Sequence, residues 1–311
     1  MQELSGKDEL IVVPEGSLCA LPLETLLMSD GRWLVERFRV TYVPSLTVRA
    51  QLAGRRAAAA GRPLLALGGA LYGGRSAPGQ RSVSDQQLAS LRLDATRLLE
   101  GRRGVRELYA ALGLDGWDEL PGTLGEISRL APGATVLTGA QASEQSIKDL
   151  SRTGELQRFG VIHFATHGIA VPEAPELSAL VLSQKAAVTS ADDGYLIARE
   201  IAGLRLGADF VNLSACETGL GRIHGGEGII RLSQAFLAAG ASGLSVSLWP
   251  VTDDATRQFM IELYRANRDE LEGARVIVSD LTTSAGDHGQ VPFERIYPLA
   301  GLHANALNGI L

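Results

Sequence analysis

Short apolar runs bounded by glycine, proline or charge recur along the chain and set its predicted elements. ELIVVP (9–14) predicts a short buried strand ended by Pro14. VERFRVTYVPS (35–45) alternates apolar and polar positions and stops at Pro44. PLLALGG (63–69), ATVLTG (134–139), GVIHFATHG (160–168), SALVLS (178–183), FVNLSACETG (210–219) and GLSVSLWPV (243–251) predict further strands. Helical spacing fills the intervals. It covers Leu88 to Leu112, with Leu91, Leu98 and Leu99 on one face, and Ala142 to Leu150, opened by Ser143 and Glu144. DDATRQFMIELYRA (253–266) predicts a helix with Phe259, Leu263 and Tyr264 toward the core. Residues 71–81, rich in Gly, Ser and Pro, predict a loop. Near-continuous apolar strands separated by helices predict an α/β fold, with a mostly parallel central sheet covered on both faces.

Composition narrows the function classes. The net charge of −6 and the few aromatic side chains argue against direct nucleic-acid binding, which leaves a basic, stacking footprint. Two cysteines, Cys19 and Cys216, make no disulfide framework, so a reducing, cytoplasmic setting is expected. MQELSGKDEL has acids where a signal peptide needs an apolar core. The longest apolar stretch, IIRLSQAFLAAGASGLSVSLWP, is interrupted by Arg231, Gln234 and glycine clusters, so no membrane span is expected.

The chemistry concentrates in HFATHG (163–168) and LSACETG (213–219). Each is an apolar strand that delivers a reactive side chain near its carboxyl end, where α/β folds place their sites. His167 lies 49 residues before Cys216, the order and spacing of a caspase histidine and nucleophilic cysteine. A thiol of pKa near 8.5 needs a neighbouring base or a positive helix end to become thiolate at neutral pH. Gly168 beside His167 lets a peptide approach closely, and Gly219 and Gly221 after Cys216 allow a tight turn. The backbone N–H groups of Gly168 and Cys216 are candidate oxyanion donors. Each residue also has a structural reading: Cys216 as a small core hydrophobe, His167 as a structural histidine. His163, in mid-strand, reads as a packing residue. With His167 about 13 Å along the same face, it is too far away to share a metal ion. Cys19 also reads as packing, and His224 in RIHGGEG as a surface residue. A nucleotide-binding reading of GLGRIHGGEG lacks the phosphate-loop lysine and the strand-bounded glycine fingerprint.

HFATHG, LSACETGLG, GGEGIIRLSQAFLAAGA and SLWPVTDDATRQFM, in that order, resemble the signature blocks of CHAT domains. These are caspase-like domains of peptidase clan CD, related to separase and often carried beside tetratricopeptide repeats. ELIVVPEGSLCALPLETL and ATVLTGAQASEQSIKDL are similar to earlier parts of such domains. The resemblance covers roughly residues 9 to 267. It implies a caspase-like protease domain over residues 1–267, with an amino-terminal half (1–140) and a catalytic half (141–267). It places the family histidine on His167 and the family cysteine on Cys216. It also implies that the SLWPVTDDAT segment shapes a substrate pocket, with Trp249, Asp253 and Asp254 as candidates; the competing reading is that one of the aspartates N-caps the following helix. Residues 268–311, with GARVIVSD and GLHANALNGIL, are similar instead to the end of a CHASE-type sensory domain.

The function implied is a cysteine endopeptidase that needs no metal or organic cofactor. It would cut specific proteins in a bacterial stress or defence pathway, gated by a regulatory adaptor or sensor protein. The alternative is a catalytically silent scaffold or binding module of the same fold.

Overall fold

The computed structural model describes residues 4, 6–15, 18, 21–53, 55, 62–73, 104–112, 114, 116–130, 133–171, 174–185, 192–217, 227–246, 257, 260, 261, 263 and 264; at 111, 215–217 and 227–230 it describes the backbone alone. Residues 88–103 of the helix predicted over 88–112, most of the 71–81 loop, Cys19, His224, the 247–256 segment and the 268–311 extension lie outside these residues.

Two short strands, β1 (Glu9–Val12) and β2 (Arg39–Tyr42), pair in parallel as a small sheet of their own. Met28, Phe38, Val40 and Tyr42 form its core. The remaining elements follow in order: α1 (Leu46–Ala53), β3 (Leu64–Ala70), α2 (Val105–Ala111), α3 (Pro121–Leu130), β4 (Thr135–Gly139) and α4 (Glu144–Thr153). Then come β5 (Val161–Ile169), β6 (Ala179–Val181), β7 (Tyr195–Ile197), α5 (Ala198–Ala202), β8 (Phe210–Glu217), α6 (Glu227–Ala239) and β9 (Gly243–Val246). Ser143 caps α4 as its sequence suggests: the hydroxyl oxygen accepts from the Ser146 N–H at 3.2 Å. GGEG leads into α6, which begins at Glu227.

Strands β3 to β9 make one seven-stranded sheet. β4, β3, β5, β8 and β9 run parallel. β5 is the centre. β8 pairs along it from Val161 to Gly168, so its other partners must share the opposite edge. There β3 pairs with residues 161–164 and β6 takes over at 167–169, antiparallel. β6 and β7 thus form an antiparallel hairpin added beside the carboxyl end of β5. The sheet draws strands from both sides of residue 140.

Helices cover both faces, as the two-sided apolar strands demand. On one face Leu65, Leu67, Ile162, Phe164, Val211, Leu213, Leu244 and Val246 pack with Leu52 of α1, Ile147 of α4, Ile201 of α5 and Phe236 of α6. On the other, Leu64, Ala66, Val161, Ala165 and Phe210 meet Ile127 and Leu130 of α3 and the helical residues Met260, Leu263 and Tyr264. Further along that face Ala70, Ile169, Ala179 and Val181 meet Leu108 and Tyr109 of α2, and Trp117. Leu263 and Tyr264 are buried as their spacing predicts. Among the described residues, no helix is long and apolar enough to cross a membrane.

Candidate active site

His167 and Cys216 are register partners on adjacent parallel strands. Neighbouring strands lie about 4.8 Å apart, and the pleat puts partnered positions on the same face. Sequence order alone separates the two residues by 49 positions; the β5–β8 ladder sets them side by side near the carboxyl end of the sheet. Cys216 is described as a strand position only.

His167 is held from three directions. It is 7% exposed. Its Nε2 lies 2.7 Å from the Asp118 carbonyl oxygen. A carbonyl only accepts, so Nε2 carries the hydrogen, and in the neutral ring Nδ1 carries the lone pair. That tautomer suits a base that takes a thiol proton and later returns it to a leaving amine. The rings of Tyr72 and Trp117 lie 4.8 Å and 5.1 Å from the imidazole, the first edge-on and the second tilted. The Tyr72 hydroxyl also accepts from the His167 backbone N–H at 3.4 Å.

Two local features bring these partners in. The ladder of β3 shifts register between Gly68 and Ala70. Gly69 sits in the bulge with φ +59°, a left-handed conformation that favours glycine. Its N–H donates to the Thr123 hydroxyl at 2.8 Å. Beyond the bulge, Tyr72 reaches His167. The second feature is the segment 116–120, whose Trp117 and Asp118 lie against His167. Trp117 Nε1 donates to the Tyr195 hydroxyl at 3.2 Å, and that hydroxyl donates to the Leu114 carbonyl at 2.8 Å. The Glu119 carboxylate accepts from the N–H groups of Tyr72 and Gly73 at 3.3 Å and 3.2 Å. The sequence offers little sign of this strap, because GLDGWDELP has the composition of a plain loop. A tryptophan among glycines and acids is its single signal.

Gly168 is placed inside β5, in register with Leu180 on one side and Glu217 on the other. An amide there faces a paired neighbour whichever edge it points to. The oxyanion role expected of Gly168 therefore requires that pairing to open.

His163 is fully buried on the same face as His167, as expected of a mid-strand residue, but its surroundings are polar. Nε2 lies 2.7 Å from Glu126 Oε1. Nδ1 lies 3.1 Å from both the Tyr264 hydroxyl and Asn212 Nδ2. Burial pushes the Tyr264 phenol well above its ordinary pKa, so it stays a donor. Trp249, Asp253 and Asp254 lie outside the described residues. Among the described residues, no group of three or more His, Cys, Asp or Glu is placed to hold a metal ion.

A mostly parallel α/β sheet carrying histidine and cysteine on neighbouring strand ends defines a caspase-like class of domain. A match to the CHAT domain spans residues 1–277, and the chain belongs to that family. The match runs past residue 267, where the sequence suggested the domain would end. The chain is also 39% identical, over 69 residues, to a mouse (Mus musculus) protein described as tetratricopeptide repeat protein 28. That stretch covers 22% of this chain and 3% of the mouse protein, so the chain corresponds to a small part of that relative.

Proposed function

We propose that the chain is a cysteine endopeptidase in which Cys216 attacks a peptide carbonyl and His167 serves as base, then acid. The observation that carries this reading is the His167–Cys216 register pairing at the carboxyl end of a caspase-like sheet. It is supported by the Nε2–H tautomer that the Asp118 carbonyl imposes on His167. In the reaction, the thiol proton passes to the imidazole, the thiolate adds to the carbonyl, and the imidazolium protonates the departing amine. Water then cleaves the thioester with the same histidine as base. The Cys216 N–H is assigned to the oxyanion, with Gly168 contributing only if its ladder pairing opens. No metal or organic cofactor takes part. Trp249, Asp253 and Asp254 are assigned to the substrate pocket, where an acidic side chain favours a basic residue before the scissile bond. We further assign the substrates to specific proteins in a bacterial stress or defence pathway, with a regulatory adaptor or sensor as partner. The protease domain is assigned to residues 1–267 and a separate extension to 268–311.

The test is cleavage of a proteome-derived peptide library by the chain and by Cys216→Ala. Cysteine-dependent cuts after Arg or Lys are expected. Cuts that persist in Cys216→Ala refute the nucleophile, and a strict preference for apolar residues refutes the acidic pocket.

A further inference from the structure

Two strand repeats before the dyad lies a second register pair, His163 and Asn212, on the same two strands. Four residues along a strand is about 13 Å, too far for either residue to touch a substrate group held at Cys216. The pair is nonetheless the hub of a buried polar network. Glu126 of α3 accepts from His163. Asn212 Oδ1 accepts from the Ser245 hydroxyl of β9 at 2.5 Å. Asn212 Nδ2 lies 3.0 Å from the Met260 sulfur, and Tyr264 reaches His163 Nδ1. His163, Glu126 and Asn212 are wholly buried, and Ser245 is 1% exposed. The network ties together β5, β8, β9, α3 and the helical residues Met260 and Tyr264.

Such a network is a costly way to stabilise a fold. Glu126 Oε2 is buried and has no hydrogen-bond partner among the described residues, and unpaired buried polar atoms cost free energy. Apolar replacements of equal volume are often neutral or better. What the network supplies is register. β5 and β8 are buried on both faces. A one-residue slip would swap apolar faces without exposing either to water, so hydrophobic alternation specifies their alignment weakly. The same slip would drive His163 or Asn212 into the Phe164 and Leu213 layer and break the bonds that the displaced residue makes in the network.

We propose that the Glu126–His163–Asn212–Ser245 network locks the β5–β8 register and so aligns His167 with Cys216, making His163 and Asn212 positioning residues. This rests on the dyad reading above. In the full chain, the rate of Cys216 alkylation by iodoacetamide is measured against pH, with peptide-resolved mass spectrometry to separate it from Cys19. In the wild-type chain the profile lies below that of His167→Ala. Asn212→Leu, and to a smaller degree Ser245→Ala, shift it toward His167→Ala although His167 is intact. Below the thiol pKa, the reactive thiolate fraction falls roughly tenfold for each unit that pKa rises. Val211→Ala, which removes a side chain packed in the opposite layer, keeps the wild-type profile. Folded network variants with a wild-type profile overturn the lock, as does an equal shift in Val211→Ala. If Asn212→Leu does not fold, Ser245→Ala decides alone. Identical wild-type and His167→Ala profiles overturn the dyad itself, and with it the pair the lock would align.

Discussion

Replacing Trp117 with alanine removes both the ring beside His167 and the donor that ties the strap to Tyr195. Trp117 is 1% exposed and packs with Tyr72, Tyr109, Ile169 and Tyr195. Truncating a buried tryptophan costs about 3–5 kcal/mol, part lost transfer energy and part cavity. For a domain of this size, each kcal/mol moves the melting temperature by about 2–4 °C. A loss of roughly 6–20 °C is therefore expected in thermal denaturation followed by circular dichroism. Trp117→Phe keeps a ring against His167 and loses mainly the Nε1–H bond, worth about 1 kcal/mol. It should recover most of the difference. The strap also carries the Asp118 carbonyl that fixes the His167 tautomer. Cys216 reactivity at 25 °C should fall in Trp117→Ala even where the protein stays folded, and return in Trp117→Phe. A melting temperature within about 2 °C of wild type, or unchanged reactivity in Trp117→Ala, refutes the assignment of the strap as the clamp on His167.

Gly69→Ala should destabilise by about 1–2 kcal/mol from the left-handed backbone alone. Its Cβ would also meet Leu124 Cδ2 at 2.3 Å, but that half-exposed side chain can move aside. A urea titration that finds no loss refutes the bulge as a strained feature. Glu144 is pushed up to about 8, first by burial and then by the neighbouring Glu200 carboxylate, against the pull of Lys148 and the Gly194 N–H. A carboxyl with a raised folded-state pKa holds its proton more tightly when folded. Its contribution to stability is therefore present at low pH and is lost as pH rises from about 4.5 to about 8. The wild-type melting temperature should fall relative to Glu144→Gln across that window, and a constant or opposite difference contradicts the shift.

The strands were readable because nearly every one is an apolar run with a turn residue at its end. PLLALGG, ATVLTG, GVIHFATHG and FVNLSACETG map onto β3, β4, β5 and β8 within a residue or two. Direction was harder to read. SALVLS gives β6, but an all-apolar three-residue strand carries nothing that marks it antiparallel. β7 is too short to stand out from its surroundings. For the site, the motif spacing picked out His167 and Cys216. What it lacked was everything that holds them. Trp117 and Tyr72 come from segments remote in the chain, and Asp118 contributes a carbonyl that every residue has. Glu126 did leave a trace: Thr123, Glu126, Ile127 and Leu130 are all buried, at the spacing of a single helix face. An acid within an apolar stripe signals a buried polar partner, which His163 supplies.

The most direct measurement is where a peptide-derived electrophile attaches under reducing conditions, mapped by mass spectrometry in wild type and His167→Ala. The pairing of these two residues predicts a single adduct on Cys216, none on Cys19, and loss of the adduct when His167 is removed. Equal labelling of both cysteines, or labelling of Cys216 that is indifferent to His167, would contradict it.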